Sequence, residues 1–123
     1  MITMKSKPFD DDKRYDLQSL YHRTCTSMDK VSEFVAKNCD ENGAMHDDIT
    51  KEDISTALNE SISVRAISEL FFAHLTSFTS GMEEPLKDAL IKFFKSSGDY
   101  AQSFGYQATI WMAAHGMELN FED

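Results

Sequence analysis

The chain has 123 residues, the size of one ordinary domain, and its 41% hydrophobic and 11% aromatic content is enough to bury a core. Its 21 Asp and Glu against 12 Lys and Arg give a formal net charge of −9, which disfavours direct binding to nucleic acid or anionic lipid. The sequence has no apolar run long enough for a membrane span or a signal peptide. We therefore expect a single cytoplasmic domain over 1–123, with residues 1–10 as a flexible lead.

The first predicted helix covers about residues 12–38, where apolar or small residues recur at helical spacing. A break near Thr24 to Ser27, where Thr26 or Ser27 could cap a second segment, is the alternative. Residues 39–49 are polar and without periodicity, which indicates a connecting loop. A second helix is predicted to begin after Thr50, because Thr50 and Asp53 have the spacing of a capping box. Ile49 and Ile54 also have the spacing of a hydrophobic staple.

This second helix is predicted to be short and to end near Glu60, with Ser61 or Ser63 as the cap of a third helix that continues to about residue 80. Pro85 follows two glutamates, a pattern typical of the first turn of a helix. The fourth predicted helix therefore starts there, and Gly98 is predicted to end it.

The last predicted helix covers residues 100–115, with Asp99 as its cap and Gly116 as its stop. No Lys, Arg, Asp or Glu occurs between Tyr100 and Met117, and apolar groups occupy all sides of this segment. Such a helix is normally surrounded by others. The sequence thus predicts an all-α, compact bundle of four to five helices with this apolar helix at its centre, followed by a short extended tail.

A metal centre is the first chemistry to test, because His22, Cys25, Cys39 and His46 are all potential zinc ligands. Their spacing is not that of a zinc finger or ribbon. We therefore expect no metal and no cofactor, and keep a metal-binding protein that uses these four residues as an alternative.

No catalytic pattern is present. The sequence has no Gly-x-Ser-x-Gly elbow and no catalytic cysteine signature, and its five glycines are too isolated for a phosphate-binding loop. The acidic loop lacks the ligand spacing of an EF-hand. These observations favour a protein that is not an enzyme.

Two adjacent aromatic pairs, Phe71–Phe72 and Phe93–Phe94, give the third and fourth predicted helices more apolar surface than one packing face needs. Phe72 lies away from the Phe71 face, and Ile91 lies off the apolar stripe of its own helix. Phe72, Ile91 and Phe94 are therefore candidate residues for binding a partner protein or for homodimer formation through these helices. Burial of the same residues within the bundle is the alternative.

The second candidate surface is the acidic loop, which includes Asp40, Glu41, Asp47 and Asp48. Six carboxylates and one Lys lie between residues 40 and 53, an imbalance that could attract a basic face of a partner protein. A solvated loop without a partner is the alternative.

The C-terminal segment MAAHGMELNFED, residues 112–123, resembles part of the phage DNA-mimic anti-restriction proteins, in which a helix ends at Gly and continues into an acidic tail. The match covers about a tenth of the chain. This resemblance implies an acidic decoy or anti-defence protein that binds a nucleic-acid-handling protein. Those proteins are more acidic, whereas twelve basic residues are distributed through this chain.

The absence of catalytic patterns and the surplus apolar surface lead to one main hypothesis. We expect a non-enzymatic, cytosolic protein–protein interaction module, such as a small regulator, inhibitor or chaperone-like adaptor, that acts by occupying the surface of its partner. The acidic decoy and the metal-binding protein are the alternatives.

Overall fold

The computed structural model describes residues 2–5, 16–117 and 119–122, with side chains for 16–117. Helices form most of this part of the chain, which confirms the all-α class. The helices are α1 (Leu17–Asn38), α2 (Lys51–Ala73), α3 (Leu75–Thr79) and α4 (Glu84–Ala114). Two short strands, β1 (Ile2–Lys5) and β2 (Leu119–Glu122), pair in parallel.

The three long helices alternate in direction. Lys30 on α1 pairs with Glu60 on α2, and Lys37 pairs with Asp53, so the contacting residue numbers run in opposite directions along the two helices. The contacts between α2 and α4 are also antiparallel, whereas the ring contacts between α1 and α4 are parallel. The backbone of α2 lies against both other long helices. α4, which contains the C-terminal helix predicted at the centre, likewise contacts both others, α2 along the backbone and α1 through the ring pairs Tyr21–Phe93 and Phe34–Phe104.

The starts of α1 and α2 are fixed by side-chain caps. The Asp16 carboxylate accepts a hydrogen bond from the Ser19 N–H at 2.7 Å, which satisfies an N–H group that has no partner within the helix. Residues 12–15, where the sequence predicts this helix to begin, lie outside the described ranges. At α2, the Thr50 hydroxyl accepts from the Asp53 N–H at 3.1 Å, which confirms the predicted start.

The two predicted helix breaks do not occur. The predicted second and third helices are one helix, α2, in which the Ser61 hydroxyl donates to the Leu58 carbonyl at 2.7 Å instead of capping a new helix. The predicted fourth and fifth helices are likewise one helix, α4, which passes through Gly98 without a stop. At 31 residues, α4 is about 46 Å long, given a rise of about 1.5 Å per residue.

The core has two apolar clusters separated by a layer of small and polar residues. The first cluster lies towards the 39–49 loop and includes Val31, Phe34, Ile54, Leu58, Phe104, Trp111 and Met112. The second cluster is formed by Leu20, Ile67, Phe71 and Phe94. The layer between them, which we call the waist, contains Thr24, Ser27, Ser61, Ser68, Ser97 and Gly98. Small side chains in the waist allow the helices to approach closely.

The two ends of the chain meet in the β1–β2 pair. Ile2 pairs with Leu119 and Lys5 with Glu122, and the backbone of β1 lies alongside α2. The extended tail expected after α4 corresponds to β2. The flexible lead expected over 1–10 contains a strand at Ile2–Lys5, and its other residues lie outside the described ranges. Among the described helices, none combines the length and apolar character needed to cross a bilayer.

Candidate partner-binding surface

The apolar patch predicted on the third and fourth helices is not formed as expected. Phe94 is fully buried and stacks on Phe71 with ring centroids 4.3 Å apart, so Phe94 belongs to the core and not to a partner surface. Ile91 is half-buried and packs against the second core cluster. Phe72 alone of the predicted three is exposed, to 37%. Two of the three apolar side chains predicted to bind a partner, Ile91 and Phe94, thus pack within the molecule.

The acidic loop has a defined backbone conformation, which hydrogen bonds to the carboxylate of Asp40 stabilise. Asp40 accepts hydrogen bonds from the N–H groups of Asn42 at 2.9 Å and Ala44 at 3.0 Å, and Gly43 takes the positive φ of +81° that this turn requires. Glu41 in the same turn is exposed. Asp40 therefore has a structural role, while Glu41 is available to solvent.

The second half of the loop is attached to the end of α4. The indole N–H of Trp111 donates to the His46 carbonyl at 3.1 Å. The ring of His115 stacks on Trp111 at 3.8 Å, and its Nε2 lies 3.2 Å from the Asp47 carboxylate. Asp48 is exposed. Asp47 thus contacts α4, and of the four predicted acidic residues Glu41 and Asp48 point freely to solvent.

The four potential zinc ligands do not form one site. His22 and Cys25 lie on α1, and Cys39 follows its last residue, about 20 Å away along the helix axis at a rise of about 1.5 Å per residue. Cys25 and Cys39 are free thiols. Burial, together with the adjacent Asp40 carboxylate, raises the pKa of the Cys39 thiol. A metal centre built from His22, Cys25, Cys39 and His46 is therefore contradicted, and the described residues contain no other cluster of three or more potential ligands.

A cleft of about 690 Å³ runs between α2 and α4 on the surface of the molecule. Leu58, Ser61 and Ile62 contribute one wall from α2, and Ala101, Gly105 and Tyr106 contribute the other from α4. A Cβ at Gly105 would make ordinary van der Waals contacts with Leu58 and Ser61, each at 3.6 Å, so α4 packs against α2 at this wall of the cleft.

Charged groups are confined to one end of this α2–α4 cleft. There Arg65 pairs with Glu69 at 3.2 Å, and Asp99 pairs with Lys95 at 3.3 Å. Each charge is thus already balanced by a neighbour one turn away on its own helix. The rest of the cleft offers apolar, hydroxyl and amide groups.

The outer face of α4 beside the cleft carries no charge. It consists of Gln102, Tyr106, Thr109, Ile110 and Ala113, which we call the charge-free face. Tyr106 is 69% exposed and Ile110 is 51% exposed. A protein with a net charge of −9 thus keeps one apolar, uncharged stripe in contact with solvent.

The helical periodicity of the sequence carries a signal for this face. The absence of charge over residues 100–117 led to the prediction of burial on all sides. At 100° per residue, however, the buried residues Ala101, Phe104, Ala108, Trp111 and Met112 share one face, which packs into the core. Tyr106 and Ile110 fall on the opposite side. Helical periodicity within the uncharged segment therefore separates the buried half from the exposed half.

Comparisons of this chain with protein-family models, curated proteins and solved structures found no match.

Proposed function

We propose that this chain is a non-enzymatic protein–protein interaction module that binds its partner through the α2–α4 cleft and the charge-free face. The observation that carries this proposal is Tyr106, an aromatic side chain that is 69% exposed at the edge of an open, mostly apolar cleft. Exposed aromatic residues next to a concave apolar surface are typical of protein interfaces, where tyrosine is enriched among the residues that dominate binding.

The lack of charge on this face supports the same function. Covering Gln102, Tyr106 and Ile110 removes no ionised group from water, so a partner binds there without the desolvation cost that charged side chains impose. Tyr106 and Ile110 contribute apolar area, and Gln102 supplies hydrogen-bonding groups at the rim. The free thiols of Cys25 and Cys39 are in keeping with a reducing compartment, so we extend the proposal to the cytoplasm.

Comparative affinity capture tests this function. The full chain and two variants are immobilised separately and exposed to the same cell lysate. Tyr106→Glu places a charge on the charge-free face, and Phe72→Glu places a charge at an exposed position elsewhere. We expect a specific protein to be retained by the wild type and by Phe72→Glu but lost by Tyr106→Glu, at low and at moderate salt alike. Equal retention by Tyr106→Glu, or no protein above background for the wild type, would contradict the proposal.

An acidic decoy is the second proposed function, and Glu41 and Asp48 favour it. Both carboxylates are exposed on a loop that Asp40 and the Trp111–His46 hydrogen bond hold in one conformation. A basic protein surface would bind such a loop with strong dependence on salt, because the attraction acts between exposed charges. Glu41→Gln with Asp48→Asn should then weaken competition with DNA for that protein, and Tyr106→Glu should not.

A further inference from the structure

We infer that Asn42 is a site of spontaneous modification, at which its side-chain amide is converted to a carboxylate through a cyclic imide formed with Gly43. Asn42 and Gly43 are the one Asn-Gly pair in the sequence. Both residues are exposed in the acidic loop, and a Cβ at Gly43 would meet no atom within 4 Å. The backbone nitrogen that follows Asn42 is therefore shielded neither by a side chain of its own residue nor by a neighbouring part of the fold.

The reaction needs only the chain and water. The backbone nitrogen of Gly43 gives up its proton and attacks the side-chain carbonyl carbon Cγ of Asn42. A C–N bond forms between them, the bond from Cγ to the side-chain nitrogen breaks, and that nitrogen leaves as ammonia with the proton from Gly43. One water molecule then opens the five-membered succinimide ring at either of its two carbonyl carbons. The products are aspartate at position 42, or isoaspartate, in which the backbone continues through the side-chain carbonyl carbon.

The turn around Asp40 controls the first step. The Gly43 N–H donates to the backbone carbonyl of Asp40 at 3.0 Å, so the attacking nitrogen keeps its proton while the turn is closed. The Asp40 carboxylate accepts from the N–H groups of Asn42 at 2.9 Å and Ala44 at 3.0 Å, and thus fixes the residues on both sides of Gly43. Attack on Cγ requires this turn to open, so the frequency of local opening sets the rate. The folded chain should therefore react more slowly than the denatured chain.

The other three asparagines lack this combination of features. Asn38 is buried, and its side-chain amide donates to the Phe34 carbonyl at 3.1 Å. Asn59 lies in the interior of α2, where helical hydrogen bonds engage the backbone N–H groups, and Asn120 lies in β2. A residue with a side chain follows each of them, which hinders attack by the next backbone nitrogen. These asparagines serve as controls within the same molecule.

Conversion of Asn42 changes the acidic loop in two ways. Either product adds one negative charge, next to Asp40 and Glu41, to a chain whose formal net charge is already −9. Isoaspartate also lengthens the backbone between position 42 and Gly43 by one methylene group. That extra length disrupts the spacing at which the Asp40 carboxylate accepts two N–H groups. The loop therefore becomes more acidic and less ordered as the molecule ages.

Peptide mass spectrometry of the full chain, kept folded for several weeks at mildly alkaline pH and physiological temperature, follows the reaction. The mass change from NH₂ to OH should accumulate at Asn42, with both isoaspartate and aspartate as products, while Asn38 and Asn59 keep their amides. Asn42→Gln should stop the conversion at this position, because the longer side chain would have to close a six-membered ring.

Asp40→Ala tests the control by the turn, because it removes the acceptor for two N–H groups. We expect conversion at Asn42 to accelerate by about 5-fold or more. Hydrogen exchange of the Gly43 N–H should accelerate by a similar factor, since both processes begin with loss of that proton. Glu41→Ala is the matched control: it removes an exposed carboxylate of the same turn and should change both rates by less than about 2-fold.

Any of three results would overturn the inference: an Asn42 that stays intact in the folded chain while the urea-denatured chain is converted there, conversion at Asn38 or Asn59 as fast as at Asn42, or equal rates for Asp40→Ala and Glu41→Ala. Circular dichroism shows that each variant is folded. A second measurement needs only the wild type, in which conversion at Asn42 and exchange at Gly43 should both accelerate as the pH rises. A conversion rate that stays constant while exchange accelerates would likewise exclude the mechanism.

Discussion

Gly98 on α4 lies against Ser68 on α2 with no space for a further atom between them. A Cβ built on Gly98 would overlap the Ser68 hydroxyl oxygen and lie 2.7 Å from the Ser68 Cβ, closer than two such atoms approach. The same hydroxyl donates to the Phe94 carbonyl at 2.8 Å and so ties α2 to α4 at this point. This contact explains why a glycine occupies position 98 inside a helix, although glycine is less favourable there than alanine by about 1 kcal/mol.

Adding one methyl group at each of two helical glycines should therefore have opposite effects. Gly98→Ala should lower the free energy of unfolding by about 1–3 kcal/mol, because α2 and α4 must separate to accommodate the methyl group. Gly105→Ala should leave stability unchanged or raise it by up to about 1 kcal/mol, because its Cβ makes ordinary contacts at 3.6 Å and alanine favours the helix. Urea unfolding followed by circular dichroism measures both.

The Ser68→Gly substitution serves as the control for this contact. Combined with Gly98→Ala it removes the overlap, so the double variant should lose less stability than the sum of the two single variants. Additive losses, or a Gly98→Ala variant as stable as the wild type, would show that the two helices are not in close contact at this point.

The helix boundaries show which features local sequence can predict. Thr50, Asp53 and Ile54 specify the start of α2 through interactions within one turn, and the prediction there is confirmed. Gly98 followed by Asp99 has the same appearance as a helix stop and a new cap, but α4 continues through it. The glycine at this position is explained by the contact with Ser68, 30 positions earlier in the chain, which local patterns do not contain.

The candidate surface was missed for a related physical reason. The absence of charge in a helix segment is compatible with burial on all sides and with exposure of one face, so it does not by itself locate the exposed side chains. Tyr106 lies at the surface, while Phe94, predicted as a partner residue, stacks on Phe71 in the core. The acidic loop was located correctly because its polar composition alone predicts exposure, but the contact of Asp47 with His115, 68 positions later in the chain, depends on the fold.

The cap of α2 gives a second prediction. Thr50→Ala removes the hydroxyl that accepts from the Asp53 N–H at 3.1 Å, so it should lower the free energy of unfolding by about 1 kcal/mol. Thr50→Ser retains an acceptor oxygen and should stay close to the wild type in the same thermal and urea unfolding measurements. Equal losses for both variants would indicate that the methyl group of Thr50, and not its hydroxyl, stabilises the helix start.

Trp111 gives a third prediction, because it connects α4 to the acidic loop. Trp111→Phe removes the indole N–H that donates to the His46 carbonyl and leaves space in the first core cluster. We expect a loss of about 1–3 kcal/mol in unfolding free energy. Hydrogen exchange should also accelerate at the His46 amide, which donates to the Asn38 carbonyl at 2.9 Å.

Ile110→Ala is the matched control for Trp111. It shortens the adjacent side chain, which is 51% exposed, and should change stability by less than about 0.5 kcal/mol without affecting exchange in the loop. If Trp111→Phe behaved in the same way as Ile110→Ala, the loop would have to be held by other contacts, such as that between Asp47 and His115.

The fourth prediction concerns the pH dependence of stability at the start of α1. Hydrogen bonding from the Ser19 backbone and side chain lowers the pKa of Asp16 below its ordinary value. An aspartate whose pKa is lower in the folded state stabilises the protein above its unfolded pKa of about 3.9. This contribution is lost as the pH falls through the folded pKa, because protonation removes the charged acceptor.

Asp16→Asn isolates that contribution, since asparagine also caps helices well but carries no proton to titrate in this range. Urea midpoints measured from about pH 6 to about pH 2 should fall more steeply for the wild type than for Asp16→Asn, so the two curves converge in acid. Asp16→Ala should lie below both at neutral pH, because it lacks any acceptor for the Ser19 N–H. Parallel curves for the wild type and Asp16→Asn over this range would show that the Asp16 carboxylate is equally easy to protonate in the folded and unfolded chains.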